Sequence, residues 1–454
     1  MATGWFDAAA GLPWHPVTRA ALLAAAEDGW ADPGRMSGPG RRSAQLLAAA
    51  RESMAAELGV QPDEVVFTPT GVHALQQAVL GALAGRQRAG RTLVHSAVEH
   101  SAVLHAAAWH VARGGAARSV PVDGEARVDP VAFAAAVAEP GVAVAVLQAA
   151  NHEIGTVQPE LDTGPVPLVV DARHSLLYGP VPAHGAILVA DARLWGGPDL
   201  GVLVIRRGAR WRPPFPADES QAGRGLGVPD VPAAVAAAAS LRAFRAAALT
   251  GDHGPRLGGY LSRLRAELPR RTPDTRALGP EHDRLPHLGT FTSLYVDGEA
   301  LLSELDRRGF AVSSGSSCTS DTLTPSHVLV AMGAVTSGNV RISLHPEVED
   351  TDVERFLAEF PAAVAAVRAQ LPGAATEPQP ATDAAARVVD SRGRRCPLPI
   401  LDLARALPGI AVGAELTVLA DDPAAGADIA AWCRLTGQEL VSGREESFVV
   451  RRVR

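Results

Sequence analysis

At 454 residues, with 42 basic and 49 acidic side chains and a net charge of −7, the chain is long enough for two or three domains and lacks the basic excess of a nucleic-acid binder. All 42 basic residues are arginine, so no side chain carries the primary amine that a Schiff base requires. Three cysteines are too few for a disulfide framework, residues 1–18 contain no Lys or Arg, and no apolar run has membrane-spanning length, which together predict a cytoplasmic protein.

In chain order, SAQLLAAARESMAAEL (43–58) has the composition and apolar spacing of a helix. Strands are predicted at EVVFTP (64–69), RTLVHS (91–96), VAVAVLQAA (142–150), PLVVDA (167–172), GAILVA (185–190) and GVLVIRR (201–207). Most are continuously apolar, which suits an α/β sheet covered on both faces, with functional loops at the carboxyl ends of its strands. The connection Pro159–Pro167 carries three prolines and is too short for a crossover helix, so one face of the sheet is expected to be partly uncovered there. Residues 231–268 form a long Ala/Leu/Arg helical region, and 347–371 reads as a helix opened by acidic residues. The stretch 372–386 is Pro/Ala/Thr-rich without apolar period and reads as a linker; a βαβαββ unit follows it. The predicted division is therefore 1–371, linker 372–386, and 387–454 as a small two-layer α/β sandwich.

Two thiols stand out. Cys318 lies in SSGSSCTS (313–320), where small and hydroxylated neighbours predict an accessible thiol in a polar setting, unlike the apolar surroundings of an inert cysteine. Cys396 opens CPLPILDLARAL, where a proline-started helix would place the thiol at its N-terminus; backbone amides and the helix dipole there favour a thiolate. Cys433 falls inside the second helix of the unit and is expected in its core.

Residues 387–454, through DSRGRRCPLPIL and LADDPAAGADIAAWC, resemble the TusA-like sulfur carriers, whose motif cysteine holds a persulfide; Cys396 takes that role by resemblance. The first 370 residues resemble the cysteine desulfurases, pyridoxal-phosphate enzymes with the type I class V aminotransferase fold: a large α/β domain plus a small domain. VEHSAV (98–103), NHEIGTVQP (151–159), VVDA (169–172), SSGSSCTSDTLTPSHVLVAMG (313–333) and NVRISL (339–344) carry the likeness. It implies that Cys318 is the persulfide cysteine and Arg341 the clamp on the substrate carboxylate. It also implies that His100 stacks on the cofactor ring, that Asp171 pairs with the ring nitrogen, and that His152 and His174 lie at the ring hydroxyl. No metal site is expected.

The chain departs from the family pattern at the cofactor. Arg193, in ADARLWGG, stands where the Schiff-base lysine should be, and a guanidinium cannot serve as that nucleophile, so covalent pyridoxal phosphate is impossible. The places that should supply the phosphate cradle read Val72, Ala190, Ala192 and Gly227, although Gly71 and the helix start after it retain backbone amides. Three readings remain open. In the first, persulfide sulfur is held at Cys318 and exchanged with Cys396 without conventional pyridoxal catalysis. In the second, desulfuration proceeds on non-covalently held pyridoxal phosphate; in the third, a non-catalytic scaffold presents the carrier to a separate desulfurase. The implied partners are a sulfur acceptor or a separate desulfurase, and a second copy in a homodimer.

Overall fold

The computed structural model describes residues 4–225, 227–314, 325–371 and 388–454; Cys318 and the expected linker lie outside them. The chain divides into two compact units. One comprises Ala8–Gly258 with Pro280–His287, the other Met1–Asp7, Gly259–Gly279 and Leu288–Arg454.

The first unit is built on a seven-stranded sheet of β1 (Val65–Thr68), β2 (Thr92–Ser96), β3 (Ala116–Val120), β4 (Val142–Gln148), β5 (Leu168–Asp171), β6 (Ile187–Asp191) and β7 (Gly201–Ile205), in the order β1-β7-β6-β5-β4-β2-β3. Strands β3, β2, β4, β5 and β6 pair in parallel, whereas β7 is antiparallel to both β6 and β1. The six sequence-predicted strands are all present. Every residue of β1, β4, β5 and β7 is buried, as continuous apolar runs require when helices cover both faces. The strand not foreseen, β3, is an edge strand with four of its five residues exposed, so it lacks the apolar signature. Between β4 and β5 the chain crosses without a helix, and a cavity of about 200 Å³ opens there, lined by Leu147, Pro159, Leu161, Leu168, Val170 and Tyr178. The expected gap in the cover is real.

The helical region after 230 is two helices, Val231–Thr250 and His253–Arg271, broken at Gly251 and Asp252. Asp230 caps the first by accepting from the Ala233 amide (2.9 Å). Contrary to the sequence expectation, Val231–Ala248 is long and apolar enough to cross a membrane by length and composition alone. Its Ala234, Ala237, Leu241 and Phe244 are buried, and it packs on the helices Pro16–Asp28 and Gly38–Leu58, which is how the core helix of a folded domain passes the same test.

In the second unit, β8 (Thr275–Ala277), β9 (Leu288–Ser293) and β10 (Asn339–Ser343) form an antiparallel sheet in the order β10-β9-β8. A buried cluster of Phe6, Phe310, Phe356 and Phe360 ties the N-terminal segment to the helix Asp350–Ala369. Residues 388–454 then fold as read: β11 (Val388–Asp390), helix Leu398–Ala406, β12 (Glu415–Leu419), helix Ala425–Thr436, β13 (Glu439–Arg444) and β14 (Ser447–Arg451). The sheet order is β11-β12-β14-β13, with only β11 and β12 parallel. Leu416 and Val418 alternate inward from β12, and Phe448 and Val450 from β14, against Ile400, Leu403, Ile429 and Trp432 of the two helices. This core also takes in Leu294 and Val335 from the preceding part of the chain.

Candidate functional site

The carboxyl ends of β4, β5 and β6 bring Gln148, Asp171 and Asp191 to the same edge of the sheet. Asn151 shapes the next loop by accepting the Glu153 and Ile154 amides on its side-chain oxygen (2.9 and 2.7 Å) while donating to the Val98 carbonyl (3.1 Å). His152 is thereby held with its ring 5.0 Å from that of His100 and 6.3 Å from that of His174, so the three sequence-predicted histidines do assemble. His100 is the N-cap of helix Ser101–Val111, its Nδ1 accepting from the Ala102 amide (3.1 Å). No group of three or more His, Cys, Asp or Glu side chains suited to a metal occurs among the described residues.

Arg173, which the sequence reading passed over, decides the chemistry of this edge. Its Nε donates to Asp171 Oδ1 (2.9 Å) and its Nη2 to Oδ2 (2.7 Å), a bidentate pair with both side chains 5% exposed. Asp191 packs against the start of helix Gly71–Arg86 so closely that a Cβ on Gly71 would overlap its carboxylate. Burial pushes the Asp191 carboxyl up, while the Arg173 charge pulls it down. Behind them Glu99 is fully buried, accepting from the Ser96 hydroxyl (2.6 Å) and the Gln148 amide (3.1 Å), and burial raises its pKa to about 7.

These residues do not fit pyridoxal phosphate. The carboxylate that should meet a ring nitrogen is already neutralised by the Arg173 guanidinium, which bonds both of its oxygens and competes with a pyridinium for that charge. The helix start expected to offer amides to an anion faces a carboxylate instead, which a phosphate would have to approach against like charge. At the cradle positions, Ala190 and Ala192 are buried methyl groups, Val72 is exposed, and the Gly227 carbonyl accepts from the Ser220 hydroxyl (2.6 Å). Arg193, at the expected lysine position, is about half exposed and turns to the Ala10 carbonyl (2.8 Å) and Asp199 (3.2 Å).

In the other unit Arg341 lies on β10, buried, with its Nη2 donating to Asp7 Oδ1 (2.9 Å). Burial raises the Asp7 carboxyl and Arg341 lowers it. The proposed clamp thus already holds one carboxylate, a partner not seen in the sequence. The Arg341 backbone also pairs with Ser313 in both directions (2.7 and 3.2 Å), so the chain leading into the Cys318 segment is anchored on the clamp strand.

Cys396 is half-buried just before the helix Leu398–Ala406, whose N-cap is Pro397. The expected thiolate is not what its surroundings favour. Burial pushes the thiol up strongly, and the negative carboxylates of Asp428 and Asp422 push it further. A helix N-terminus contributes only about 0.3–1 kcal/mol toward an anion, and burial together with the two carboxylates outweighs it. The sequence signal was present in LADDPAAGADI, but only the fold brings that loop and helix beside the cysteine. Cys433 is buried in the core, as expected, and burial lifts its thiol to about 11.

Comparison with known proteins follows the same division. Residues 6–208 and 219–356 match the class V aminotransferase family, and residues 387–452 match the sulfurtransferase TusA family. A cysteine desulfurase of Cereibacter sphaeroides is 34% identical, covering 80% of this chain and 96% of its own length. The cysteine desulfurase NifS of Azotobacter vinelandii is 29% identical over 77% of this chain and 89% of its own. Among solved structures, a NifS-like protein superposes with a TM-score of 0.73 at 22% identity, covering 80% of this chain and 99% of that one.

Proposed function

The chain belongs to the class V aminotransferase family, among the cysteine desulfurases, and ends in a TusA domain; from that premise we propose that it is a sulfur-transfer protein working without pyridoxal phosphate. In this reading Cys318 holds a persulfide and passes its outer sulfur to Cys396. Cys396 gives up its thiol proton to water and attacks that sulfur, a new sulfur–sulfur bond forms at Cys396, the bond at Cys318 breaks, and Cys318 leaves as thiolate. Electrons balance without an oxidant. The persulfide itself comes from outside, from a separate desulfurase or a small-molecule persulfide, and an acceptor protein takes it from Cys396.

The observation that carries the reading is the bidentate Arg173–Asp171 pair, because it neutralises the carboxylate on which the cofactor's electron-sink chemistry depends. Thiol exchange needs only a thiolate, access and a leaving group. The test is transfer from a small-molecule persulfide to an acceptor by the full chain: Cys396→Ala is expected to abolish handover while leaving the rest of the chain folded. Undiminished transfer in that variant rejects the relay. Alanine released from cysteine only when pyridoxal phosphate is added, above the cofactor-only control, would instead favour a desulfurase on non-covalent cofactor.

A further inference from the structure

We propose that the TusA domain docks on residues 333–337 of the same chain through Asp428, and that this docking keeps Cys396 closed to reaction until the domain is released. Asp428 lies on the helix Ala425–Thr436 and is fully buried. Its Oδ1 accepts from the Thr336 amide (2.6 Å) and its Oδ2 from the Ser337 amide (3.3 Å). The same helix makes two further bonds outside the domain: Trp432 Nε1 to the Tyr295 hydroxyl (3.0 Å) and Arg434 Nη2 to the Gly333 carbonyl (2.6 Å). Val335, 1% exposed, and Leu294 enter the domain's apolar core beside them. Asp428 stands in the first turn of this helix, and Asp422 just before it accepts both the Ala424 amide at the helix N-cap (2.8 Å) and the Cys396 amide (3.2 Å), so the docked helix start is tied to the cysteine.

A buried aspartate bonded to its neighbours is ordinarily part of the fold's own framework. Here the donors are not the domain's own. Its four strands and two helices are complete within 388–454, and Thr336, Ser337, Tyr295 and Gly333 all belong to the desulfurase-like part. Release would return Asp428 to water and open the low-dielectric setting at the helix start beside the cysteine. Docking therefore opposes reaction at Cys396. A tethered carrier at high effective concentration needs such a device to avoid losing its sulfur to any passing thiol.

The inference rests on reading Cys396 as the carrier thiol, but alkylation reports that thiol whether or not it takes sulfur, so a failed relay and a failed latch are distinguishable. The experiment compares iodoacetamide alkylation of Cys396 in the full chain, resolved by peptide mass mapping, with that in Val335→Arg and Arg434→Ala. Val335→Arg is expected to alkylate at least about tenfold faster, the change that a one-unit fall in thiol pKa gives. Arg434→Ala, losing one exposed contact, should move the same way by less. Hydrogen exchange at the Thr336 and Ser337 amides should be slow in the parent and fast in Val335→Arg, with the amides of β12 and β14 still protected in both. Alkylation unchanged in both variants, or unprotected 336 and 337 amides in the parent, overturns the proposal.

Discussion

Two pairs of carboxylates, Asp171 with Asp191 and Asp422 with Asp428, each have one buried member, Asp171 and Asp428, and the two are answered differently. Asp171 is neutralised by Arg173, two residues along the same chain, and that arginine also stabilises the Asp191 charge. The answer is local and permanent. Asp428 is answered by two backbone amides more than ninety residues away in sequence, and both it and Asp422 hold the Cys396 thiol up. That answer lasts only while two folded pieces stay together. The first arrangement neutralises its carboxylate from within the same strand end; the second ties a carboxylate to a separate folded piece.

The most severe way to break the contrast is to remove the local cation. Arg173→Ala leaves a buried carboxylate without its partner and should cost about 3–5 kcal/mol of stability in urea unfolding. A loss of under about 1 kcal/mol, the scale of an exposed ion pair, would mean the pocket is not self-neutralised. Next in size is Glu99. Its folded pKa, about 7, lies above the ordinary carboxylate value, so the folded state holds more protons between these two pH values, and stability must fall as pH rises through that window. The decline attributable to Glu99 is up to about 3 kcal/mol. Glu99→Gln should flatten the profile between pH 4.5 and 7, as read from urea unfolding at closely spaced pH; an unchanged slope would assign the decline elsewhere.

Much of this was legible in the sequence. The apolar runs 142–148 and 201–205 could only be covered strands, and the proline-rich step at 159–167 announced a gap in the helical cover. Strand β3 escaped notice because an exposed edge carries no apolar period, and β8 and β9 because they are short or mixed in pattern. At the site, the three histidines and Asp171 were readable from their motifs, but their partners were not. Arg173 looks like any other arginine in an arginine-rich chain until its side chain folds back on Asp171. Likewise the helix-start argument for Cys396 considers one local effect, whereas the burial and the carboxylates that oppose it come from elsewhere in the domain.

The smallest expected effect sharpens the other side of the contrast. Tyr295→Phe removes one hydrogen bond to Trp432 and should weaken docking by about 0.5–1.5 kcal/mol, seen as partial loss of exchange protection at Thr336 and Ser337 with stability of the seven-stranded sheet unchanged. If that variant loosened the sheet unit instead, the docking contacts would not be an independent layer of structure.

The central claim is that sulfur moves between two thiols of this chain without a cofactor. Its most direct test is a site-resolved time course: cofactor-free protein mixed with one equivalent of a small-molecule persulfide, quenched at intervals, and mass-mapped at Cys318 and Cys396. The relay predicts sulfur appearing first at Cys318 and then at Cys396, with the Cys396 signal lost in Cys318→Ser. Loading of Cys396 at the same rate in that variant, or no loading of either cysteine until pyridoxal phosphate and cysteine are supplied, would contradict it.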